Sequence, residues 1–255
     1  MGTWVELPKG RSASERGARR GARPRNSLPN SGASQRDEFS SPEQSQLLDC
    51  NQNRTAEGPM TKVVADITMS LDGFVTGPDP DLEHGLGRGG EPLHAWVESE
   101  HEVDREVLRE IAEAPGAVVM GRRLFDIVDG PHGWSDEMGY GAEHATTPPF
   151  FVVTHSAPEK VRLDLDFTFV TDGLASAIDQ ARAAAGDKDV IVMGGGDVIR
   201  QCVDTGLADE LIIHLTPIVL GSGTPLLVDC HRRQLVQCNV RSSPTATHLT
   251  YALHS

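Results

Sequence analysis

The architecture of this chain is most visible in Val190-Ile191-Val192-Met193-Gly194-Gly195-Gly196-Asp197-Val198-Ile199-Arg200-Gln201. Its apolar beginning has no helical spacing and is typical of a buried strand. The strand pattern stops at three consecutive glycines, and a helix-like pattern follows directly. Because glycines raise the entropic cost of folding, we expect a group to pass too close to this backbone for a Cβ atom. Between a strand and a helix, that group is usually an anion bound by backbone N–H groups. The stretch therefore predicts a nucleotide-cofactor site, and the alternative is a loose turn.

Outward from this stretch, strand and helix patterns alternate. Strand patterns precede it at 62–69, 117–120, 150–154 and 167–170, and helix patterns at 93–114, 121–128 and 174–185. Four strand patterns follow it, at 210–220, 225–228, 235–241 and 247–253, and the last two form a terminal hairpin. Alternation first and consecutive strands last predict a three-layer α/β fold. Its mixed sheet is expected to be mostly parallel, with antiparallel C-terminal strands.

The first 59 residues differ from the rest in composition. They are rich in Arg, Ser, Gly and Pro and show no sustained hydrophobic period, which predicts a disordered extension at 1–59 and a folded domain at 60–255. The whole chain of 255 residues has a formal charge of −14. Residues 1–36 contain eight basic and two acidic residues, which leaves 15 basic and 35 acidic residues for 37–255.

This charge distribution restricts the possible partners. An acidic body argues against a nucleic-acid surface, and no apolar run is long enough to span a bilayer. The four cysteines, Cys50, Cys202, Cys230 and Cys238, show neither CxxC nor metal-ligand spacing. We therefore expect free thiols, no metal site and a cytoplasmic location.

Two further predicted strands also end in residues suited to an anion. Gly121, Arg122 and Arg123 follow one strand, and the two arginines stand in the first turn of a helix. Cations there are unfavourable for the helix dipole unless an anion offsets the repulsion. Thr154-His155-Ser156 ends another strand with hydroxyl and imidazole groups. Three such strand ends predict a site for a phosphorylated dinucleotide, although solvated arginines and ordinary strand ends would give the same residues individually.

These motifs resemble those of a known superfamily. Gly121-Arg122-Arg123-Leu124-Phe125, the 154–156 strand end and the 194–198 turn resemble the NADPH-binding motifs of dihydrofolate reductase-like proteins. Ser70-Leu71-Asp72-Gly73 and the segments 206–211 and 216–223 resemble the reductase domain of bacterial riboflavin biosynthesis. The resemblance covers roughly residues 60–253. The zinc motif of the companion deaminase is absent from the sequence, so that activity is not implied.

The resemblance implies a role for each matching position. Gly121, Arg122 and Arg123 would contact the cofactor phosphates, and Thr154, His155 and Ser156 the adenosine ribose and its 2′-phosphate. The diphosphate would be lined by five consecutive residues, Gly194, Gly195, Gly196, Asp197 and Val198. The family often has a cis peptide bond between the first two of these glycines.

The reduction itself also needs a proton donor and a group that anchors the substrate. Asp72 follows the first strand and is our candidate for both, although Asp-Gly is also a common turn pair. The resemblance to dihydrofolate reductases implies an acid on the helix before Gly121, where we choose Asp104 among several acidic residues. Trp96 is a candidate substrate contact, with a role in the core as its alternative.

The sequence thus predicts an NADPH-dependent oxidoreductase of a small heterocyclic substrate, resembling 5-amino-6-(5-phosphoribosylamino)uracil reductase. Two alternatives remain open. One is a dihydrofolate reductase-like enzyme that acts on a pteridine or another carbonyl compound, and the other is a non-catalytic NADP-binding sensor. A homodimer is expected because residues 211–220 look like an apolar strand with an exposed edge.

Overall fold

A computed structural model describes residues 61–113, 115–136, 138–140 and 147–253. The predicted extension at 1–59 lies outside the described residues. The strands are β1 (Val63–Ser70), β2 (Phe74–Thr76), β3 (Pro115–Gly121), β4 (Phe150–Val153), β5 (Phe167–Val170), β6 (Asp189–Met193), β7 (Glu210–Thr216), β8 (Thr224–Pro225), β9 (Val236–Ser242) and β10 (Thr247–Ala252). The helices are a 3-10 turn (Glu91–His94), α1 (Glu102–Glu113), α2 (Arg122–Val128), α3 (Leu174–Ala185) and α4 (Gly196–Thr205).

Eight of the strands form one sheet in the order β5-β4-β3-β6-β1-β7-β10-β9. The first six strands of this order, β5, β4, β3, β6, β1 and β7, pair in parallel with their neighbours. Strand β10 pairs antiparallel with both β7 and β9. The short strands β2 and β8 form a separate antiparallel pair. A mostly parallel sheet with antiparallel C-terminal strands is the predicted arrangement, and it is confirmed.

Helices cover both faces of this sheet. On one face, α3 and α4 pack their apolar residues against Val63, Ala65 and Ile67 of β1. On the other face, α2 contributes Phe125 to an aromatic cluster, and α1 packs near the C-terminal hairpin. Side chains alternate between the two faces of each strand, so an apolar strand such as β3 supplies both cores. The result is the predicted three-layer α/β fold.

Several predicted elements differ in extent from the observed ones. The helix pattern at 93–114 divides into the 3-10 turn and α1, and the segment 95–101 between them carries Trp96. The predicted strand at 225–228 is reduced to the two residues of β8. In the first segment, the Trp96 indole packs against His214 and His248. In the second, the Leu226 side chain is fully buried and its N–H donates to the carbonyl oxygen of Gly73.

The predicted strand at 210–220 ends at Thr216, and its interpretation as an exposed edge is wrong. Strand β7 lies inside the sheet between β1 and β10, so its apolar residues pack against the molecule's own layers. The expectation about thiols holds for Cys202 and Cys230, which are free, and fails for Cys238, which is disulfide-bonded. No helix in the described residues is both long and apolar enough to cross a membrane.

Leu211 offers a direct test of this packing because its side chain is fully buried in β7. We expect Leu211→Ala to lower the free energy of unfolding by about 3 kcal/mol, the usual cost of leaving a cavity in a core. Leu82→Ala, at a leucine that is 51% exposed, is the control and should change it by less than about 0.5 kcal/mol. Urea denaturation followed by circular dichroism measures both, and equal effects would contradict the inner position of β7.

Candidate functional site

The carboxyl ends of the parallel strands border one cleft of about 750 Å³. Its lining includes the strand ends at Gly121, Thr154 and Gly194 together with the cleft-facing residues of β1 and β7. In a parallel sheet all carboxyl ends lie at one edge, which is where open α/β sheets bind ligands. All eleven residues predicted to bind the cofactor line this cleft: Gly121, Arg122, Arg123, Thr154, His155, Ser156, Gly194, Gly195, Gly196, Asp197 and Val198.

The glycine-rich turn leaves open space where a side chain would otherwise stand. Gly194 and Gly195 have φ values of +45° and +76°, which side chains rarely adopt. A Cβ atom on Gly195 would have no neighbour within 4 Å, so this backbone faces free volume. Helix α4 begins here without a side-chain cap, and the Val198 N–H donates to the carbonyl oxygen of Gly195. The N–H groups of Gly196 and Asp197 are thus left for a ligand. The peptide bonds of the described residues are all trans, which differs from the cis bond implied by the resemblance.

The two arginines of α2 have different surroundings. Arg122 donates from Nε to Asp126 Oδ1 at 2.7 Å and from Nη1 to the carbonyl oxygen of Ser156 at 2.7 Å. It therefore links α2 to the end of β4. Arg123 is exposed and donates to the carbonyl oxygen of Pro80 at 3.0 Å, with no carboxylate partner among the described residues. The positive charge of Arg122 is thus balanced by Asp126, whereas the charge of Arg123 is not balanced by a carboxylate of the described residues.

Beyond the glycine turn, the residues that line the cleft differ in charge and chemistry from those at the strand ends. Over β1 and β7 it is lined by Asp66, Thr68, His214, Trp96 and His94, and α1 supplies apolar residues. Arg122 and Arg123 are the only arginines or lysines among the described lining residues, and both belong to α2. This half of the cleft therefore combines one carboxylate with imidazole and indole rings.

A chain of hydrogen bonds leads from this half of the cleft into the protein. Asp66 Oδ1 lies 3.1 Å from His214 Nε2, and His214 Nδ1 lies 2.7 Å from His248 Nδ1. The outer nitrogen of His248, Nε2, lies 2.9 Å from Asp104 Oδ1, and Thr245 donates its hydroxyl to Asp104 Oδ2 at 2.6 Å. The chain thus joins β1, β7, β10 and α1.

Burial and hydrogen bonding set the charge states along this chain. Burial raises the pKa of Asp104, but hydrogen bonds from Ser99, Thr245, Ser243 and His248 outweigh it and hold that pKa at about 2. Asp104 is therefore ionised at neutral pH. Burial lowers the pKa of His248, although the contact with Asp104 opposes this shift. The indole of Trp96 covers the chain, with its ring centroid 4.3 Å from that of His214 and its N–H donated to Thr68 Oγ1 at 3.0 Å.

Sequence reasoning missed three members of this chain, namely Asp66, His214 and His248. The signal that could have found them is polarity at alternate positions of inner strands, which are expected to be apolar. Thr68 pairs with His214 and His214 with His248, so the three side chains form a row across one face of the sheet. Single strands show only isolated polar residues, because the row exists only once the strands are paired.

The three predicted catalytic or substrate residues lie in different places. Trp96 lines the cleft and Asp104 lies behind it, in contact with His248. Asp72 is not part of the lining. Its carboxylate accepts hydrogen bonds from the Ser70 hydroxyl and from the N–H groups of Leu220 and Gly221, at 2.7 to 3.0 Å. These bonds, with Ser70 first, lower the pKa of Asp72 to about 2. The geometry therefore gives no support to contact between Asp72 and a substrate.

Comparison with known proteins relates this fold and cleft to one family. A family model described as the RibD C-terminal domain matches residues 61–248. The chain is 22% identical to the uncharacterized protein YyaP of Bacillus subtilis over 188 residues. This alignment covers 71% of this chain and 88% of YyaP.

The solved structures that are similar to this one include two from bacteria. A putative riboflavin biosynthesis protein from Shewanella sp. PV-4 has a TM-score of 0.56 and 21% identity, covering 76% of this chain and all of that one. RibD of Acinetobacter baumannii has a TM-score of 0.52 and 13% identity, covering 84% of this chain and 64% of that one. At these identities the two structures support the fold alone.

The surroundings of Asp72 predict a structural role. We expect Asp72→Ala to lower the melting temperature, because it removes the acceptor that joins the turn after β1 to residues 220–221. Ser70→Ala should act in the same direction, since the Ser70 hydroxyl bonds both Asp72 and the Phe74 N–H. Scanning calorimetry measures both variants. An unchanged melting temperature in Asp72→Ala would contradict this role.

Proposed function

The chain belongs to the RibD C-terminal domain family, and on that premise we propose that it is an NADPH-dependent reductase of a small heterocyclic substrate. The observation that carries this proposal is the meeting of three anion-suited strand ends in one cleft. Membership of the family supports an oxidoreductase. The choice of NADPH as cofactor rests on the residues of the cleft.

The described residues fit a phosphorylated dinucleotide. The open space beside Gly195 would take the diphosphate against the uncapped start of α4. Thr154, His155 and Ser156 would border the adenosine ribose, and Arg123 would pair with its 2′-phosphate. When bound, NADPH supplies a hydride, which is two electrons with one hydrogen. The nicotinamide end would then lie towards β1, because strand order places β6 directly beside β1.

The substrate would occupy the half of the cleft over β1 and β7. Similarity to the riboflavin reductase domain supports a ribosylamino-pyrimidine, with Trp96 packing against its ring. One observation favours the alternative of an unphosphorylated pteridine or carbonyl compound. The described lining here has neither lysine nor arginine, so a substrate phosphate would have no cation to pair with. Of the predicted acids, Asp104 would act only through His248, and Asp72 would have to move to reach a substrate.

A substrate panel separates these possibilities. The full chain is mixed with NADPH, and cofactor oxidation is followed by absorbance with phosphorylated and unphosphorylated ribosylamino-pyrimidines, pterins and carbonyl compounds. Faster oxidation with the phosphorylated pyrimidine would support the riboflavin-type reaction, and preference for an unphosphorylated ring would support the alternative. Tight NADPH binding without oxidation by any compound would contradict a reductase and favour a sensor.

Arg123 provides a test of cofactor choice. We expect Arg123→Ala to weaken NADPH binding by about tenfold to hundredfold, the usual range for a lost charge-assisted hydrogen bond. Binding of NADH should change little, because NADH lacks the 2′-phosphate. Fluorescence titration measures both affinities, with Arg109→Ala on α1 as an exposed control outside the cleft. Equal losses for the two cofactors would assign Arg123 to another part of the nucleotide.

We also propose a homodimer and a cytoplasmic location, without a nucleic-acid or membrane partner. Since β7 is an inner strand, the surface for a second copy must lie elsewhere. Leu71 and Val219 are 63% and 71% exposed, and the Leu71 N–H donates to the carbonyl oxygen of Ile218, which brings these two residues together. Light scattering tests the dimer and should give twice the chain mass of 27.5 kDa. Cell fractionation tests the location.

A further inference from the structure

The hydrogen-bonded chain from Asp66 to Asp104 opens to the cleft at one end only. Asp66 and His214 line the cleft, whereas His248 and Asp104 are 4% and 0% exposed and do not. Asp66 uses Oδ1 to contact His214, and Oδ2 has no hydrogen-bond partner among the described residues. Both ring nitrogens of His214 are used within the chain, so Asp66 Oδ2 is the atom through which the chain can exchange a proton with the cleft.

The number of protons in the hydrogen bonds of the chain determines its charge states. Three hydrogen bonds join its four groups, and each bond needs one proton. When both carboxylates are ionised, three protons on two imidazole rings make one ring an imidazolium. Shifting the proton between His214 Nε2 and Asp66 Oδ1 instead gives two neutral rings and a carboxylic acid. The net charge of −1 is the same in both arrangements, so the proton can move towards the cleft without changing the charge of the protein interior.

Charged and titratable groups border the chain at both ends. Asp104 is ionised and anchors the far end, and the buried His248 resists protonation. Arg241 of β9 also acts against a positive charge on His248. On the cleft side, His94 faces His214 and the hydroxyl of Tyr140 feels the charge of Asp66. The hydrogen bonds therefore give the extra proton a direct route to the pair formed by His214 and Asp66, which borders the cleft.

We infer that Asp66 is the proton donor of the reduction, and that His214, His248 and Asp104 are positioning residues that control its protonation. This inference deepens the proposed function and depends on it. The substrate site that it defines takes a ring with a C=N or C=O bond whose heteroatom can reach Asp66 Oδ2.

The bonds and electrons of this step balance. The substrate carbon accepts the hydride and forms a C–H bond, so the substrate gains two electrons and the dinucleotide loses them. The π pair of the C=N or C=O bond becomes the bond pair of a new N–H or O–H bond. The proton for that bond comes from Asp66, whose own O–H bond breaks. Asp66 is left as a carboxylate beside His214, and a proton from water in the cleft restores the acid.

The first experiment replaces the donor. With the substrate that the panel identifies, Asp66→Asn should lower kcat by about a hundredfold or more, the typical contribution of a general acid, while KM for NADPH stays within about twofold. The asparagine keeps the size of the side chain and an acceptor for His214. Thr250→Val is the matched control, because Thr250 lies on the same face of β10 as His248 but outside the chain, and it should leave kcat unchanged. A full kcat in Asp66→Asn would overturn the inference.

The second experiment tests the positioning residues through the pH profile. A proton donor loses activity as the pH rises through the pKa of the chain. Asp104→Asn removes a negative charge, which lowers the affinity of the chain for its proton, so the fall in kcat should move to lower pH. Thr245→Val removes a donor that stabilises the charged form of Asp104, so the fall should move to higher pH. Opposite shifts cannot arise from a loss of stability alone, and unchanged profiles in both variants would overturn the role of the chain.

A third measurement uses the protein without cofactor and separates this inference from the proposed function. Nitrogen NMR of the histidine rings should show His214 and His248 titrating together, with a midpoint that Asp104→Asn lowers. Independent titration of the two rings would contradict a shared proton. If no compound of the panel causes the wild-type protein to oxidise NADPH, the proposed function fails. The NMR result still decides whether the chain holds a shared proton.

Discussion

Parallel pairing of β4, β3, β6 and β1 is the constraint on which the cleft depends. Gly121 lies opposite Val153, and Asp66 lies opposite Met193, so each strand end stands beside the next. Hydrogen bonds between the strands hold this register along their whole length. Residues that are more than 70 positions apart in the sequence, such as Gly121 and Gly194, therefore line the same cleft.

The polar row across β1, β7 and β10 is the exception to an otherwise apolar sheet. Polar groups can be buried in such a place only when their hydrogen bonds are made, because an unpaired one costs several kcal/mol. Among the described residues, every buried side-chain nitrogen or oxygen has a partner. Trp96 and α1 then shield the row from water, which strengthens the interactions within it. The same arrangement that makes burial possible also links the cleft to an ionised carboxylate in the interior.

Charge divides the cleft into two parts with different chemistry. Arg122 and Arg123 place positive charge at the strand ends of a molecule whose residues 37–255 have twenty more acidic than basic side chains. Phosphate groups are thus attracted to one part of the surface and repelled by most of the rest. The half over β1 and β7 has a carboxylate and imidazole rings instead. In the proposed function, this asymmetry would orient a phosphorylated dinucleotide and would leave the other half for an uncharged or protonated ring.

Local patterns in the sequence were sufficient for the order of the elements and for the strand ends. The triple glycine and the arginine pair at 122–123 carry their chemistry within a few residues, so they predict an anion site without knowledge of distant contacts. Tertiary structure alone decided which acids face the cleft. Asp72 follows a strand and looked available, but its carboxylate is bound by the backbone of residues 220 and 221. Asp66, His214 and His248 are single polar residues in apolar strands, and only strand pairing brings them into one chain. The physical reason is that hydrogen bonds between side chains depend on distances across the sheet, and the sequence of a single chain records only neighbours along it.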